Sequence, residues 1–245
     1  MTEHRLGRRV PTDWKHVQKY SLRPKTAVAK VEKTLVLPWY HWMHDQGDEG
    51  ACVGFGLSMM MAILNEAQAR SRAQTPFTHL YNARWLYQEA QKVDEWAETP
   101  PEEGTSVRAG CDVLRTLGHV RRVRKFDRPA TITEGIKENR WARTVDEIRT
   151  TIAAGVPVAI GVNWYERFYP EHLEKRSGDW FIRTDDFGYI LGGHCVCLYG
   201  ASDRRQAFKL KNSWGRDYPL VWMPYTVMDR LLREDGEVTL VTDQD

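Results

Sequence analysis

The 245-residue sequence has little of several things, and each shortage excludes something. No uninterrupted apolar run approaches 18 residues, so no membrane-spanning helix is expected. Residues 1–30 hold no apolar core of a secretory signal, so export by that route is not expected. There are four cysteines (Cys52, Cys111, Cys195 and Cys197), with neither a disulfide-framework spacing nor a CxxC pair. That pattern fits a reducing, cytoplasmic compartment. Cys195 and Cys197 share a strand face with His194 nearby, but the spacing favours core packing over zinc. The remaining histidines show no metal spacing, and neither a metal nor a cofactor is expected. Net charge is only +2, so no global field draws the chain to nucleic acid or lipid. Internal repeats and low-complexity segments are absent.

What is present begins with His44 to Asn65. Turn residues Asp45 to Gly50 lead into a run in which Val53, Leu57, Met60 and Leu64 recur four, three and four apart. This is the period of one helix face. Cys52 falls in the first turn, where unpaired N–H groups and the helix dipole favour its thiolate. Gly54 and Gly56 are weak helix formers. Their expected use is to let a neighbouring element approach closely beside the thiol.

Residues 1–33 form a basic arm, with nine Lys or Arg against three acids. The arm is expected to be solvated over the surface, with an acidic partner as the other reading. Trp39, Tyr40 and Trp42 are expected to cover the core near the first helix. A second helix is read around Leu80 to Tyr87. A third is read from Val107 to Leu117, capped by Thr105-Ser106 and ended by Gly118. A capping box at Thr144 to Glu147 starts a fourth, ending near Gly155. From Val156 onward the segments VPVAIGV, FIRT, GYILGGHCVCLYGAS, AFKLKNSWG and EVTLVT read as strands. Helices followed by strands predict an α+β fold with an antiparallel sheet. The expected domain spans 34–245, with a helical lobe at about 43–155, a β lobe at about 156–245 and a cleft between them.

Two downstream segments can serve Cys52. Gly192-Gly193-His194 enters a strand through open backbone where a substrate can lie. Asn212-Ser213-Trp214 closes the next strand. Neighbouring strands can set the Asn212 side-chain oxygen on the imidazole of His194. The other ring nitrogen is then left for the thiol, which is the nucleophile–base–orienter arrangement of acyl transfer. Trp214 can shield that bond from water. Gln46 and the Cys52 N–H can hold an oxyanion.

These blocks, in this order, resemble the papain-like cysteine peptidases of the C1 family. The matching residues are Asp45-Gln46-Gly47, Gly50-Ala51-Cys52, Phe55, Gly192-Gly193-His194 and Asn212-Ser213-Trp214-Gly215. Weaker similarity lies at Glu103 to Val107 and Val145 to Val158, so most of 36–225 is covered. The resemblance implies a two-lobed papain-like fold, with a β lobe resembling a barrel. It also implies a thiol peptidase acting on peptide or protein substrates. In it Cys52 is the nucleophile, His194 the acid/base, Asn212 the orienter and Gln46 the oxyanion donor. Gly104 and Gly193 would line the peptide cleft.

The departures point to a bacterial or viral form lacking disulfides. Glu49 replaces the usual disulfide cysteine, and with Asp48 it sets negative charge near the thiol. Val53 replaces an aromatic residue, and Tyr218-Pro219 stand where a second Trp-Gly is usual. No typical pro-domain precedes the first block, so self-inhibition is not expected. Two other functions fit the same residues. One is a catalytically weak structural or binding component of a larger assembly such as a virion. The other is an amidase, isopeptidase or transferase using the same triad.

Overall fold

The structure is a computed structural model that describes residues 5–12, 34–38, 44–72, 81–97, 103–120 and 132–243. Trp39, Tyr40, Trp42, the turn at 75–77 and most of the basic arm lie outside the described residues.

The helical lobe is built on α1 (Cys52–Ser71). Nearly every residue from Cys52 to Leu64 is buried, because α1 is enclosed by α2 (Ala83–Val93), α3 (Val107–Thr116) and the sheet. Asn82 caps α2, its side chain accepting from the Trp85 N–H at 3.1 Å. Ser106 caps α3 in the same way through Ala109, also at 3.1 Å. α4 (Val145–Ala153) starts at the capping box, where Glu147 N–H donates to Thr144 Oγ1 at 3.2 Å. Gly118 and Gly155 follow α3 and α4 at φ 78° and 88°, a conformation that costs glycine least. The second helix therefore begins a few residues later than its aromatic spacing suggests.

Thirteen strands are described. They are β1 (Arg8–Arg9), β2 (Leu35–Val36), β3 (Thr105–Ser106), β4 (His119–Val120), β5 (Ile132–Glu134), β6 (Ile136–Trp141) and β7 (Val158–Tyr165). There follow β8 (Glu174–Arg176), β9 (Asp179–Phe181), β10 (Ile190–Ser202), β11 (Ala207–Lys211), β12 (Val221–Pro224) and β13 (Glu237–Asp243), with α5 (Tyr225–Arg233) between the last two. The main sheet runs β6-β13-β7-β10-β11-β12-β9-β8, with β2 on the side of β10.

Two expectations need correction. The sheet is mixed, because β9 pairs with β12 in parallel. β9 reaches β12 through a long connection, so no hairpin dictates its direction. Strand β6 also lies inside the stretch read as helical. It is an edge strand with three of its six side chains exposed, so its charged sequence hides the strand pattern.

Two hydrophobic cores meet at β10. One gathers α1, α2 and α3 and includes Cys52, Cys111, Cys195 and Cys197. The other fills the β lobe around Trp164, Trp214, Tyr218 and Phe208. Close approach of α1 to β10 depends on Gly56: a Cβ there would lie 2.7 Å from Cys195 Sγ and 3.2 Å from the Cys195 carbonyl oxygen.

Candidate active site

Cys52 opens α1 and is fully buried. Its thiol is pushed up to about 11, burial being the largest cause. Hydrogen bonds from the backbone of Gly7, Cys195 and Val53 and the charge of Arg8 act in the opposite direction and lose. The helix-start argument for a thiolate is therefore overridden in this conformation by loss of water. Glu49 turns its carboxylate to Arg84 Nε at 2.6 Å, and Asp48 is exposed.

His194 and Asn212 sit on neighbouring parts of the β lobe, since β10 and β11 pair from Cys197↔Lys211 onward. His194 Nε2–H meets Asn212 Oδ1 at 2.8 Å, and the Ser213 N–H donates to the same oxygen at 2.7 Å. His194 is fully buried between two indoles. Trp164 meets it edge-on with centroids 4.7 Å apart, and Trp214 lies tilted at 5.0 Å. Cys195, the residue after His194, lays its backbone against the Cys52 sulfur. β10 thus carries both His194 and the residue whose backbone meets the Cys52 sulfur.

Gln46 is held from both sides. Its N–H donates to the Ser213 carbonyl at 2.9 Å, and its Oε1 accepts from Ser213 Oγ at 2.6 Å. This leaves Nε2 as the donor, which goes to the Glu49 carbonyl at 2.8 Å and the Arg5 carbonyl at 2.9 Å. Ser213 was not singled out from sequence, although its place beside Asn212 was the signal. Trp164 was also missed, because a Trp in an apolar strand reads as core.

Gly104, at φ 107°, and Gly193 both abut one stretch of chain. Between them lies the chain's own N-terminal segment. The Thr105 N–H donates to the Gly7 carbonyl at 2.9 Å, and Arg8 pairs with Thr105 in parallel. A Cβ on Gly104 would lie 2.4 Å from Gly7 O, and one on Gly193 would lie 2.2 Å from Arg8 O. Gly7, Arg8 and Pro11 are buried, so this part of the basic arm is not solvated. Its arginines spend their charge within the chain: Arg5 pairs with Glu103, Arg8 with Glu237, and Arg9 lies 5.0 Å over Trp96. Thr12 N–H and Oγ1 both donate to Glu95, each at 2.8 Å. The expectation of an arm solvated over the surface fails at these residues for a physical reason. The acids that receive the arm lie about 80 to 230 residues away in sequence, where composition does not register them.

Asp94 positions the opposite wall. Its carboxylate accepts from Thr105 Oγ1, from Ser106 N–H at 2.7 Å and from Ser106 Oγ at 3.1 Å. Cys195 and Cys197 are fully buried in the core. Among the described residues no group of three or more His, Cys, Asp or Glu could hold a metal ion, and no helix is long and apolar enough to cross a membrane.

The architecture is that of the papain-like cysteine proteases: an α+β chain with a helical lobe, a mixed sheet and a thiol at the head of the first long helix. Over 97% of its length it superposes on xylellain, a cysteine protease from Xylella fastidiosa. The TM-score is 0.72 at 18% identity, covering 95% of that chain. It matches procathepsin B S9 from Trypanosoma congolense with a TM-score of 0.69 and 11% identity, over 98% of this chain and 87% of that one. Among curated proteins it is similar to an uncharacterized peptidase C1-like protein of Acanthamoeba polyphaga mimivirus. The two are 23% identical over 246 residues, covering 88% of this chain and 75% of that protein. No protein-family model matches the chain.

Proposed function

We propose that this chain is a cysteine peptidase working through Cys52, His194 and Asn212. The observation that carries the proposal is the His194–Asn212 hydrogen bond of 2.8 Å, sealed by two indoles, on the strand whose Cys195 backbone meets the Cys52 sulfur. Asn212 Oδ1 accepts the hydrogen bond from Nε2–H and so fixes the tautomer, which leaves Nδ1 to accept the Cys52 proton. The thiolate attacks a peptide carbonyl carbon. The oxygen gains charge, and Gln46 Nε2–H with the Cys52 N–H receives it. His194 then hands its proton to the leaving amine as the C–N bond breaks. Water, deprotonated by His194, releases the acyl group and restores the thiol. Before any of this, the N-terminal segment has to leave, since Arg5 O holds Gln46 Nε2 and Gly7 covers the sulfur.

The reading is tested by peptide turnover and labelling with a thiol-directed epoxide. Both are expected in the intact chain and neither in Cys52→Ala. Labelling that survives the substitution sinks the proposal. A digest of a peptide library read by mass separates endopeptidase action from amidase, isopeptidase or transferase chemistry on the same triad.

The complete burial of Cys52 also favours a second reading, a papain-like structural or binding component of a larger assembly such as a virion. Stoichiometric co-purification with other structural chains, without turnover, would favour it. The described arginines of the arm leave an acidic partner to the remainder of that arm.

A further inference from the structure

Cys52 and Cys195 are both free, fully buried thiols of one core, where α1 meets β10. Cys195 meets α1 at two points. Its backbone N–H bonds the Cys52 sulfur, and its own Sγ lies where a Cβ on Gly56 would be 2.7 Å away. Gly56 is four residues after Cys52, so the two positions are neighbours on one helix face, roughly 5–6 Å apart. Both sulfurs therefore stand along the same short stretch of α1. A disulfide needs Cα atoms within about 7 Å and Cβ atoms about 4 Å apart. An amide that touches the partner's sulfur sets the pair near that range, and side-chain rotation closes the remainder. The other two cysteines are engaged elsewhere. Cys111 Sγ lies 3.4 Å from Thr239 Oγ1, and Cys197 Sγ points to the Leu198 carbonyl at 3.8 Å.

Packing alone does not ask for a sulfur at position 195. Gly56 costs α1 about 1 kcal/mol of helix propensity relative to Ala, and the space it leaves is filled by Cys195 Sγ. Alanine at both positions would occupy much the same volume without that cost. What the sulfur adds is chemistry. With Gly7 over Cys52, burial keeps that thiol protonated, and burial does the same at Cys195. Displacing residues 5–9 opens Cys52 to water at a helix start, where the thiolate is favoured.

We propose that Cys195 is the resolving partner of Cys52: a hydroperoxide oxidises the uncovered Cys52, and the two cysteines then close into a reversible disulfide between α1 and β10. The Cys52 thiolate attacks hydrogen peroxide and the O–O bond breaks. One oxygen stays on sulfur as a sulfenic acid, and the other leaves as hydroxide and takes a proton to become water. The Cys195 sulfur attacks the sulfenic sulfur. The S–S bond forms, the S–O bond breaks, and the departing hydroxide takes the Cys195 proton as a second water. Two thiols are oxidised and one peroxide is reduced. A small dithiol reverses the bond by exchange. The bridge holds Cys52 short of the irreversible sulfinic acid. The inference concerns these two sulfurs and does not depend on the peptidase reading.

The test treats two full chains with hydrogen peroxide: the natural one, and Arg8→Ala, in which the covering segment loses its ion pair with Glu237. Products are read by intact mass and by peptide mapping after alkylation without reductant. The expected product is a monomer lighter by two hydrogens, linked from Cys52 to Cys195 and returned to two free thiols by dithiothreitol. The link should form at least about tenfold faster in Arg8→Ala, where the thiolate is exposed, and an unchanged rate overturns the uncovering step. In Cys195→Ala, dimedone should instead trap a sulfenic acid on Cys52, which without the trap gains a second oxygen irreversibly. Cys111→Ala and Cys197→Ala should keep the bridge. Three results overturn the proposal: Cys52 passing to the sulfinic acid while Cys195 stays free, a bridge from Cys195 to Cys111 or Cys197, or no oxidation of either thiol. Should a variant fail to fold, the peptide map of the natural chain decides among these outcomes. A bridge in a chain that turns over no peptide keeps this inference and removes the peptidase. Turnover without a bridge does the reverse.

Discussion

Gly56→Ala sets two magnitudes against each other. In a helix interior the change gains about 1 kcal/mol of propensity. Against this, the new Cβ would lie 2.7 Å from Cys195 Sγ and 3.2 Å from the Cys195 carbonyl oxygen. Both neighbours are fixed, since Cys195 is fully buried in the middle of β10. Overpacking at such a site costs about 1–3 kcal/mol. Steric cost should therefore win by up to about 2 kcal/mol, lowering Tm by up to roughly 8 °C for a chain of this size. The effect on activity should be larger than that loss of stability suggests. Cys195 follows His194 and touches the Cys52 sulfur, so a shift of β10 moves the proposed base relative to the proposed nucleophile. Thermal melts and peptide turnover would be measured for Gly56→Ala, Cys195→Ala and the double variant. Removing Sγ should return part of the loss, a coupling of about 0.5–1.5 kcal/mol in the cycle. A rise in Tm for Gly56→Ala, or strict additivity, would refute the reasoning.

Asn212→Ala removes the acceptor for a buried N–H on His194. At about 1–3 kcal/mol this should lower kcat/KM roughly 10- to 100-fold, and steady-state rates at matched folded fraction check it. Trp214→Ala empties a buried site against that ring and should cost about 3–5 kcal/mol in urea melts. Glu237 is pushed up to about 7 by burial, against a usual 4.5, while Arg8 opposes the rise. The folded chain thus holds that proton more tightly than the unfolded one. The stability this confers is complete below pH 4.5 and lost as pH rises through 7. Between those limits the natural chain should lose about 3 kcal/mol relative to Glu237→Gln. Identical pH profiles of the two urea midpoints would sink that assignment.

Much of the architecture could be read locally. The periodic run from Val53 to Leu64, the caps at Ser106 and Thr144 and the strand-like segments after Val156 each carry their signal within a few residues. The His194 and Asn212 segments were legible because each closes or enters a strand of one antiparallel pair, so adjacency in the sheet followed from order in the chain. Long-range charge pairing was not legible. Arg8 and Glu237 stand 229 positions apart, and a basic stretch with distant acids looks solvated from composition alone. The protonation of Cys52 was misjudged for the same reason. A helix start and its dipole are local, whereas the peptide covering the sulfur comes from elsewhere. Strand β6 was missed because an edge strand of charged residues lacks the alternation that marks a buried one.

Asn212 and Ser213 are consecutive, yet one steadies the imidazole and the other steers the Gln46 amide. The proposed base and the proposed oxyanion donor thus share a single backbone joint at the end of β11. A displacement of that joint detunes both together, so substitutions at the two positions should not contribute independently. Under the proposed mechanism, any evolutionary adjustment of proton transfer at this joint would carry a change in oxyanion binding along with it.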